Sequence, residues 1–512
     1  MAEEPPENVA NTSQEINQNG SPRRRVYRQK YIYSVCLCAT YLTCGWNLAQ
    51  IGSALLDLQQ ITSVSLEAAS LYQTLFNGGY FVGSLLCGII YKKINKFICQ
   101  FVALLFVAVS LAVIPWCRVQ VAMVTAHFIV GVAGGVLDSM VNAEMLAIWG
   151  EQGLPYVQAM HFTYAFGGII SPVVTAQFLS PVRHHQNDVI IATSNDRSPF
   201  NVSNNTLPIG NLTSYTLNLA IQTINTSSSL ESSTHLAEAQ NTSDITSPFY
   251  ETSRLYIAYS VSAALCFCIA TPYLIMYFTF DLSEIRTGRA SKEEASVPEM
   301  TKSQKIIVLL NFGLMTCVYV AIEESFSGFL NAFCVNRLDW SSVDGSYATS
   351  IFYGCFGLGR LVAIIWVKCI NPKKILSIFC VALMLMFISV WVCGIHYFDI
   401  GLWLTVALTG LFIAVIYPTI FTWTEEDFLP VSGKISAYFS ITSSLGGMIN
   451  PIAIGTLMDL YNPLWYAYLL FGESVMLLMT CTFGMLLSRK QRQHIQQGRQ
   501  IDQLDQEVEF LK

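Results

Sequence analysis

The sequence predicts an all-α polytopic membrane protein, with twelve transmembrane helices in two pseudo-symmetric halves of six. Three observations carry that expectation. Of 512 residues, 53% are hydrophobic and only 12% charged, about half the charged fraction of an average soluble domain. The apolar residues come in blocks of about 20, the length needed to cross a bilayer. One half of the chain also repeats the other.

The blocks read as helices over 31–57, 68–91, 97–115, 120–148, 156–180, 254–280, 305–333, 345–367, 375–395, 402–424, 435–461 and 465–488. They divide the chain into a disordered cytoplasmic tail (1–30), a first half (31–280), a cytoplasmic linker (281–304), a second half (305–488) and a cytoplasmic C-terminal tail (489–512). The first 25 residues are polar, so they do not read as a secretory signal. The first half holds a Ser/Thr/Asn-rich insert at 181–253. Its low aromatic content predicts an extracellular loop that is largely disordered.

Basic residues set the orientation. With both tails and the linker inside, 22 of the 28 lysines and arginines are cytoplasmic. Five are outside (Arg118, Arg183, Arg197, Arg254 and Arg337), and Arg360 lies within a span. Such a bias is the positive-inside pattern. The insert then falls outside, and it carries five N-x-S/T sequons, at Asn201, Asn204, Asn211, Asn225 and Asn241. Glycan acceptors belong on that side.

The repeat supports the division into halves. "FNGGYFVGSLLCGIIYKKIN" (76–95) matches "FYGCFGLGRLVAIIWVKCIN" (352–371), and "GGIISP" (167–172) matches "GGMINP" (446–451). The offsets are 276 and 279 residues, and each pairs span n with span n+6. Glycines in these segments suit close helix packing. The prolines break helices whose freed carbonyls neighbours must satisfy.

Polar groups within the spans mark a candidate site, because a buried charge costs at least about 2.5–3.5 kcal/mol and usually faces a cavity. Asp138 lies just past the middle of span four, and Asn142, one turn on, shares its face. These two are the expected cation-coupling pair. Glu144 is about 120° round the helix and nearer the cytosolic edge, where it reaches headgroup water. Glu323 and Glu324 in span seven point about 100° apart, and Glu323 is the one expected to face the cavity. Asn47, Gln50, Asn77, His161, Tyr164 and Asn450 are the further expected ligands of a polar substrate. Arg360 reads as a gating or snorkelling group. Trp149 and Trp423, which close spans four and ten, read as an interfacial belt.

The 15 cysteines are scattered through apolar segments as packing residues, with neither a disulfide framework nor metal spacing. There is no Walker loop, zinc motif or nucleophile elbow. The chain therefore reads as no enzyme, with no catalytic residue, no metal site and no resident cofactor. Its expected partners are a small polar molecule and the lipid bilayer, not nucleic acid, and it is expected to be a monomer.

The run "GGVLDSMVNAEMLAIWGEQGLPYVQAMHFTYAFGGIISP" (134–172) resembles the span four to span five region of the sodium-dependent glucose transporter branch of the major facilitator superfamily. That branch is related to the bacterial fucose permeases. The shared features are the acid Asp138, Asn142 four residues later, "WGEQ", and "QAMHF" before a Gly-rich helix. "YVAIEESFSGF" (319–329) is similar to the family's span-seven segment and maps its acid onto Glu323. The likeness covers about residues 30–490. It implies cation-coupled sugar uptake, with Asp138 in the place of a permease acid. A second permease acid, in span one, falls near Gly52 and is absent here; Asp57 lies nearby, at the outer end. The loop after span two also lacks the superfamily's aspartate.

The expected function is import of a glucose-like monosaccharide across the plasma membrane by alternating access, with transported Na⁺ or H⁺ as coupling ion and Na⁺ favoured. The alternatives are a carrier of another polar solute, such as urea, a polyol or an organic cation, and a non-transporting receptor.

Overall fold

The computed structural model describes residues 8–150, 153–180, 254–286, 300–369, 371–429 and 433–510. Its regular structure is helical throughout those residues. Twelve helices have 18 residues or more: α1 (Asn8–Thr62), α2 (Leu66–Ile90), α3 (Lys96–Val113), α4 (Gln120–Trp149), α5 (Gly153–Ala176), α6 (Leu255–Thr279), α7 (Lys302–Leu338), α8 (Ser342–Cys369), α9 (Pro372–His396), α10 (Asp399–Asp427), α11 (Gly433–Leu460) and α12 (Trp465–Phe510). A single helical turn, Leu282–Ile285, follows α6. Helix α1 begins inside the stretch expected as a disordered tail, and α12 runs well past 488. The five sequons lie outside the described residues.

Nine of the described helices are long and apolar enough to cross a membrane. Helices α2 and α5 fall short of that apolarity. Their packing explains it: α2 lies against α4 and α11, and α5 lies against α1 and α8. A helix enclosed by protein can carry polar groups on several faces. Glu67, Gln73 and Asn77 on α2 are among them.

Local sequence sets the helix ends. Asn95 and Asn371, matched in the repeat, are both N-caps. The Asn95 Oδ1 accepts from the Phe97 amide at 2.9 Å and the Asn371 Oδ1 from the Lys373 amide at 3.1 Å. Each satisfies a backbone donor that the first turn leaves free. Thr301 and Gln304 form a reciprocal capping box at the start of α7.

Glycines decide how closely α2 and α4 cross. A Cβ on Gly79 or Gly83 would lie 2.2 and 2.0 Å from carbonyl oxygens of α4, and one on Gly131 or Gly135 would lie 2.0 and 2.1 Å from those of α2. Each helix thus presents a Gly-xxx-Gly face to the other, and the backbones touch. Gly135→Val is expected to force the helices apart and cost about 1–3 kcal/mol, measured as a lower melting temperature in detergent. An unchanged melt would contradict this crossing.

The first six helices meet the last six tightly at the end of the bundle where α1 stops and α2 starts. The Asn331 amide donates to the Ser53 carbonyl at 2.9 Å, and Gln177 donates to the Tyr347 hydroxyl at 3.1 Å. Thr456 donates to the Glu67 carboxylate at 3.2 Å, and the Glu67 amide donates to Asp459 at 3.3 Å. Gly52 and Gly328 cross there as well, and a Cβ on Gly52 would sit 2.8 Å from the Gly328 Cα.

Candidate functional site

A cavity of about 190 Å³ lies between the first and last six helices. Its walls come from α1, α2, α4 and α5 on one side and from α7, α8, α10 and α11 on the other. Hydrophobic spans bring strongly polar side chains here. Asp138, Glu323 and Glu324 supply three carboxylates, Arg360 one guanidinium and His161 an imidazole. A cluster of tyrosines (Tyr41, Tyr80, Tyr164, Tyr319 and Tyr417) completes an amphipathic lining.

Asp138 sits on the α4 wall. The Asn142 amide donates to its Oδ1 at 3.2 Å and to its backbone carbonyl at 2.9 Å. The phenols of Tyr41 and Tyr80 approach the same carboxyl. Tyr41 also packs on His161, with ring centroids 5.0 Å apart, and on Tyr164 at 5.4 Å. Across the cavity, the Tyr319 and Tyr417 rings stack at 5.3 Å. The Arg360 guanidinium lies 4.8 Å from the Phe356 ring centroid.

Two buried polar atoms on these walls, Asn47 Oδ1 and Arg360 Nε, have no protein partner. Buried polar groups are nearly always paired, and leaving one unpaired costs about 1–3 kcal/mol. An acceptor and a donor left open on one cavity suit a polar ligand that offers both donors and acceptors.

Of the residues expected from sequence, Asp138, Asn47, Asn77, His161, Tyr164, Glu323 and Arg360 line this cavity. Asn142 stands behind Asp138 as its hydrogen-bond donor. Two expected ligands lie elsewhere. Gln50 is 1% exposed and accepts from the Ser262 hydroxyl at 2.8 Å, which ties α1 to α6. Asn450 donates to the Ala321 carbonyl at 3.0 Å, to Ser325 at 2.9 Å and to Glu473 at 3.2 Å. It binds α11 to α7 and α12, and it gives Glu473 a partner.

Trp149 and Trp423 face inward rather than toward a membrane interface. The Trp149 ring stacks on Tyr156 at 3.8 Å, and its N–H donates to Ser34 at 2.8 Å. Trp423 is fully buried, and its N–H donates to Asp427 at 3.0 Å. Glu144 is fully buried too, where edge exposure was expected. It forms an ion pair with Arg286, just beyond the helical turn that follows α6.

Glu324 points away from Glu323, so the sequence does not single it out. The cavity nonetheless wraps round α7 far enough to reach both. Glu323 faces the Arg360 side, and Glu324 faces α2, where it accepts from the Asn77 amide. Tyr164 joins the site as expected, whereas Tyr41, Tyr80, Tyr319 and Tyr417 carry no signal in the sequence, since aromatic residues are abundant in every span.

No family model matches the chain. In sequence it is 25% identical over 431 residues to sodium-dependent glucose transporter 1 of Homo sapiens, a match that covers 84% of this chain and 74% of that protein. It is 24% identical to the Danio rerio protein of the same name, over 84% of this chain and 65% of that one. It is 21% identical to major facilitator superfamily domain-containing protein 4A of Xenopus tropicalis, over 90% and 92%. In structure it resembles the xylose transporter XylE from E. coli in an inward open conformation, with a TM-score of 0.60 at 10% identity, over 89% of this chain and 95% of that one. It also resembles the nucleoside transporter NupG (0.57, 14%, over 89% and 98%) and the major facilitator transporter FucP in an outward conformation (0.51, 18%, over 89% and 99%). The activities these names state are transport, not catalysis. The chain is a multi-pass membrane protein with the major facilitator fold, and in sequence it is similar to proteins named sodium-dependent glucose transporter 1.

Proposed function

We propose that the chain is a secondary active transporter that imports a glucose-like monosaccharide by alternating access, coupled to Na⁺. The reading includes twelve spans in six-plus-six order and a monomer in the plasma membrane with both termini inside. It also includes glycans on the 181–253 loop. The packing supports the six-plus-six order: α2 against α4 is answered by α8 against α10, α3 against α6 by α9 against α12, and α5 against α8 by α11 against α2. The bias of lysine and arginine supports the orientation. In that orientation the tight end of the bundle is external, so the structure is closed to the outside.

The observation that carries the reading is the cavity between the halves, with an unpartnered acceptor on Asn47, an unpartnered donor on Arg360 and facing aromatic rings. A monosaccharide presents hydroxyls that both donate and accept, and an apolar face for a tyrosine to cover. Asn47, His161, Tyr164 and Glu323 bind the sugar, while the Asn77 amide is taken up by Gly447 and Glu324. Asp138, held by Asn142, is the coupling acid: a cation offsets the cost of its charge, and the neutralised site can then reorient.

Uptake of labelled hexoses into proteoliposomes tests this, with an inward Na⁺ gradient in one arm and choline in the other. Accumulation is expected only with the gradient. If no hexose shows gradient-dependent flux, the symporter reading fails, and binding without flux marks a receptor. One observation favours a second reading: three carboxylates face a single guanidinium in the cavity, a balance that also suits an organic cation. Strong competition by such cations, and none by hexoses, would identify that substrate class.

A further inference from the structure

Helices α2 and α11 meet along one seam between the halves, and α5 and α8 meet along the other. The repeat makes these seams equivalent, yet their chemistry differs. In the α5–α8 seam, Pro172 lacks an N–H and so leaves the Gly168 carbonyl, four residues back, without its helical partner. The Tyr353 ring fills the space beside Gly168, and a Cβ there would sit 2.5 Å from the ring. In the α2–α11 seam, Pro451 frees the Gly447 carbonyl in the same way. The residue matching Tyr353, at the offset of 276, is Asn77. Its amide nitrogen lies between two oxygens: it donates to the Gly447 carbonyl at 2.6 Å and to the Glu324 carboxylate. The residue matching Glu324 at that offset is Leu48. One seam is therefore aromatic and apolar, and the other joins a carboxylate, a freed carbonyl and an amide. The architecture does not require the polar version.

Gly447 also supplies the room. A Cβ there would lie 2.5 Å from Glu324 Oε2 and 2.9 Å from Asn77 Nδ2. The neighbourhood is well braced, since Gln73, one turn from Asn77, donates to the Glu324 backbone carbonyl at 3.0 Å. Glu324 lines the cavity, so an ion in the cavity can reach it. The other charged or titratable groups facing the cavity are Glu323, Asp138, Arg360 and His161.

We propose that Glu324, the Gly447 carbonyl and Asn77 form a Na⁺ site separate from Asp138. Turning the Asn77 amide end for end puts its oxygen in the place of the NH₂ group, beside the other two, so three oxygens stand together for an ion that enters from the cavity. An amide's two ends are close to interchangeable in shape. Hard oxygen donors with one negative charge suit a hard cation, and a carbonyl freed by a helix break is a known kind of ligand for such an ion in transporters. The site joins α2 to α7 and α11, so it is whole only while the halves are closed at this end. Ion occupancy is thereby tied to which side is open. The inference deepens the cation-coupled reading and rests on it for its role in transport.

The test is thermal unfolding of the purified full chain in detergent, with NaCl titrated against choline chloride at constant ionic strength. Wild type and Asp138→Asn are expected to melt higher in Na⁺. In Glu324→Gln, which keeps an acceptor for Asn77, the half-saturating Na⁺ concentration is expected to rise about tenfold or more, a change of at least about 1.4 kcal/mol. Gly447→Ala, which fills the cradle but keeps the acid, is expected to show the same loss. A wild-type Na⁺ response in Glu324→Gln overturns the site, as does a melt that responds to pH but never to Na⁺. A Na⁺ response that depends on Glu324 in a protein without hexose uptake leaves the site standing and removes the sugar reading.

Discussion

Asp138→Asn is expected to abolish accumulation of sugar while sparing exchange across proteoliposome membranes. The residue faces the cavity with Asn142 behind it and two phenols in front. Asparagine keeps the shape and removes the charge that a cation must neutralise. One monovalent ion moving through 100 mV supplies about 2.3 kcal/mol, which by itself supports accumulation of about 50-fold at about 1.4 kcal/mol per tenfold, before the Na⁺ concentration gradient adds to it. The variant is expected to fall to a ratio of about one. Measuring net uptake and counterflow on the same vesicles separates coupling from binding. Accumulation at the wild-type level in Asp138→Asn would show that the coupling charge lies elsewhere in the cavity.

Arg286→Ala is expected to destabilise the protein by about 3–5 kcal/mol, as removal of one member of a buried ion pair does. The partners are unequal. The Glu144 side chain is 0% exposed, and the Arg286 side chain is 31% exposed. Loss of the arginine strands a carboxylate that water does not reach, whereas Glu144→Gln leaves an arginine that can turn outward. The second variant is therefore expected to cost less. Combining Arg286→Met with Glu144→Leu is expected to recover most of the loss, because the well-packed apolar pair has no charge to desolvate. Melting temperatures of the three variants decide this, and equal losses for both partners would contradict the asymmetry. The pair also fastens the segment after α6 to α4, so the three variants report on how the linker is anchored.

The sequence made the helices and their order legible because a bilayer-spanning segment is a local property of composition. The repeat was legible for the same reason, and its matched asparagines, Asn95 and Asn371, became equivalent caps. Asp138 stood out because a charge in an apolar run is rare. The site was less legible where function depends on what lies opposite. Gln50 and Asn450 have the same character as Asn47 and Asn77, yet they serve as braces between helices. Glu324 points away from Glu323, and the sequence of α7 does not encode how far the cavity extends round it. Glu144 looked like an edge residue until Arg286 was found beside it, 142 positions away along the chain.

By itself, then, the sequence determined a membrane-spanning helical chain with an internal repeat and a few costly polar groups within its spans. Composition and period carry that information, and both are read along one helix. Only the tertiary structure decided which polar groups meet. It brought Asp138, Glu323, Glu324 and Arg360 to one cavity, and it closed one end of the bundle with hydrogen bonds between helices far apart in sequence. It also made one of two equivalent seams polar and the other aromatic. These outcomes depend on crossing angles and close approaches at Gly135, Gly328 and Gly447, where the lack of a side chain sets the distance between helices. That distance belongs to pairs of helices, and no single helix encodes it.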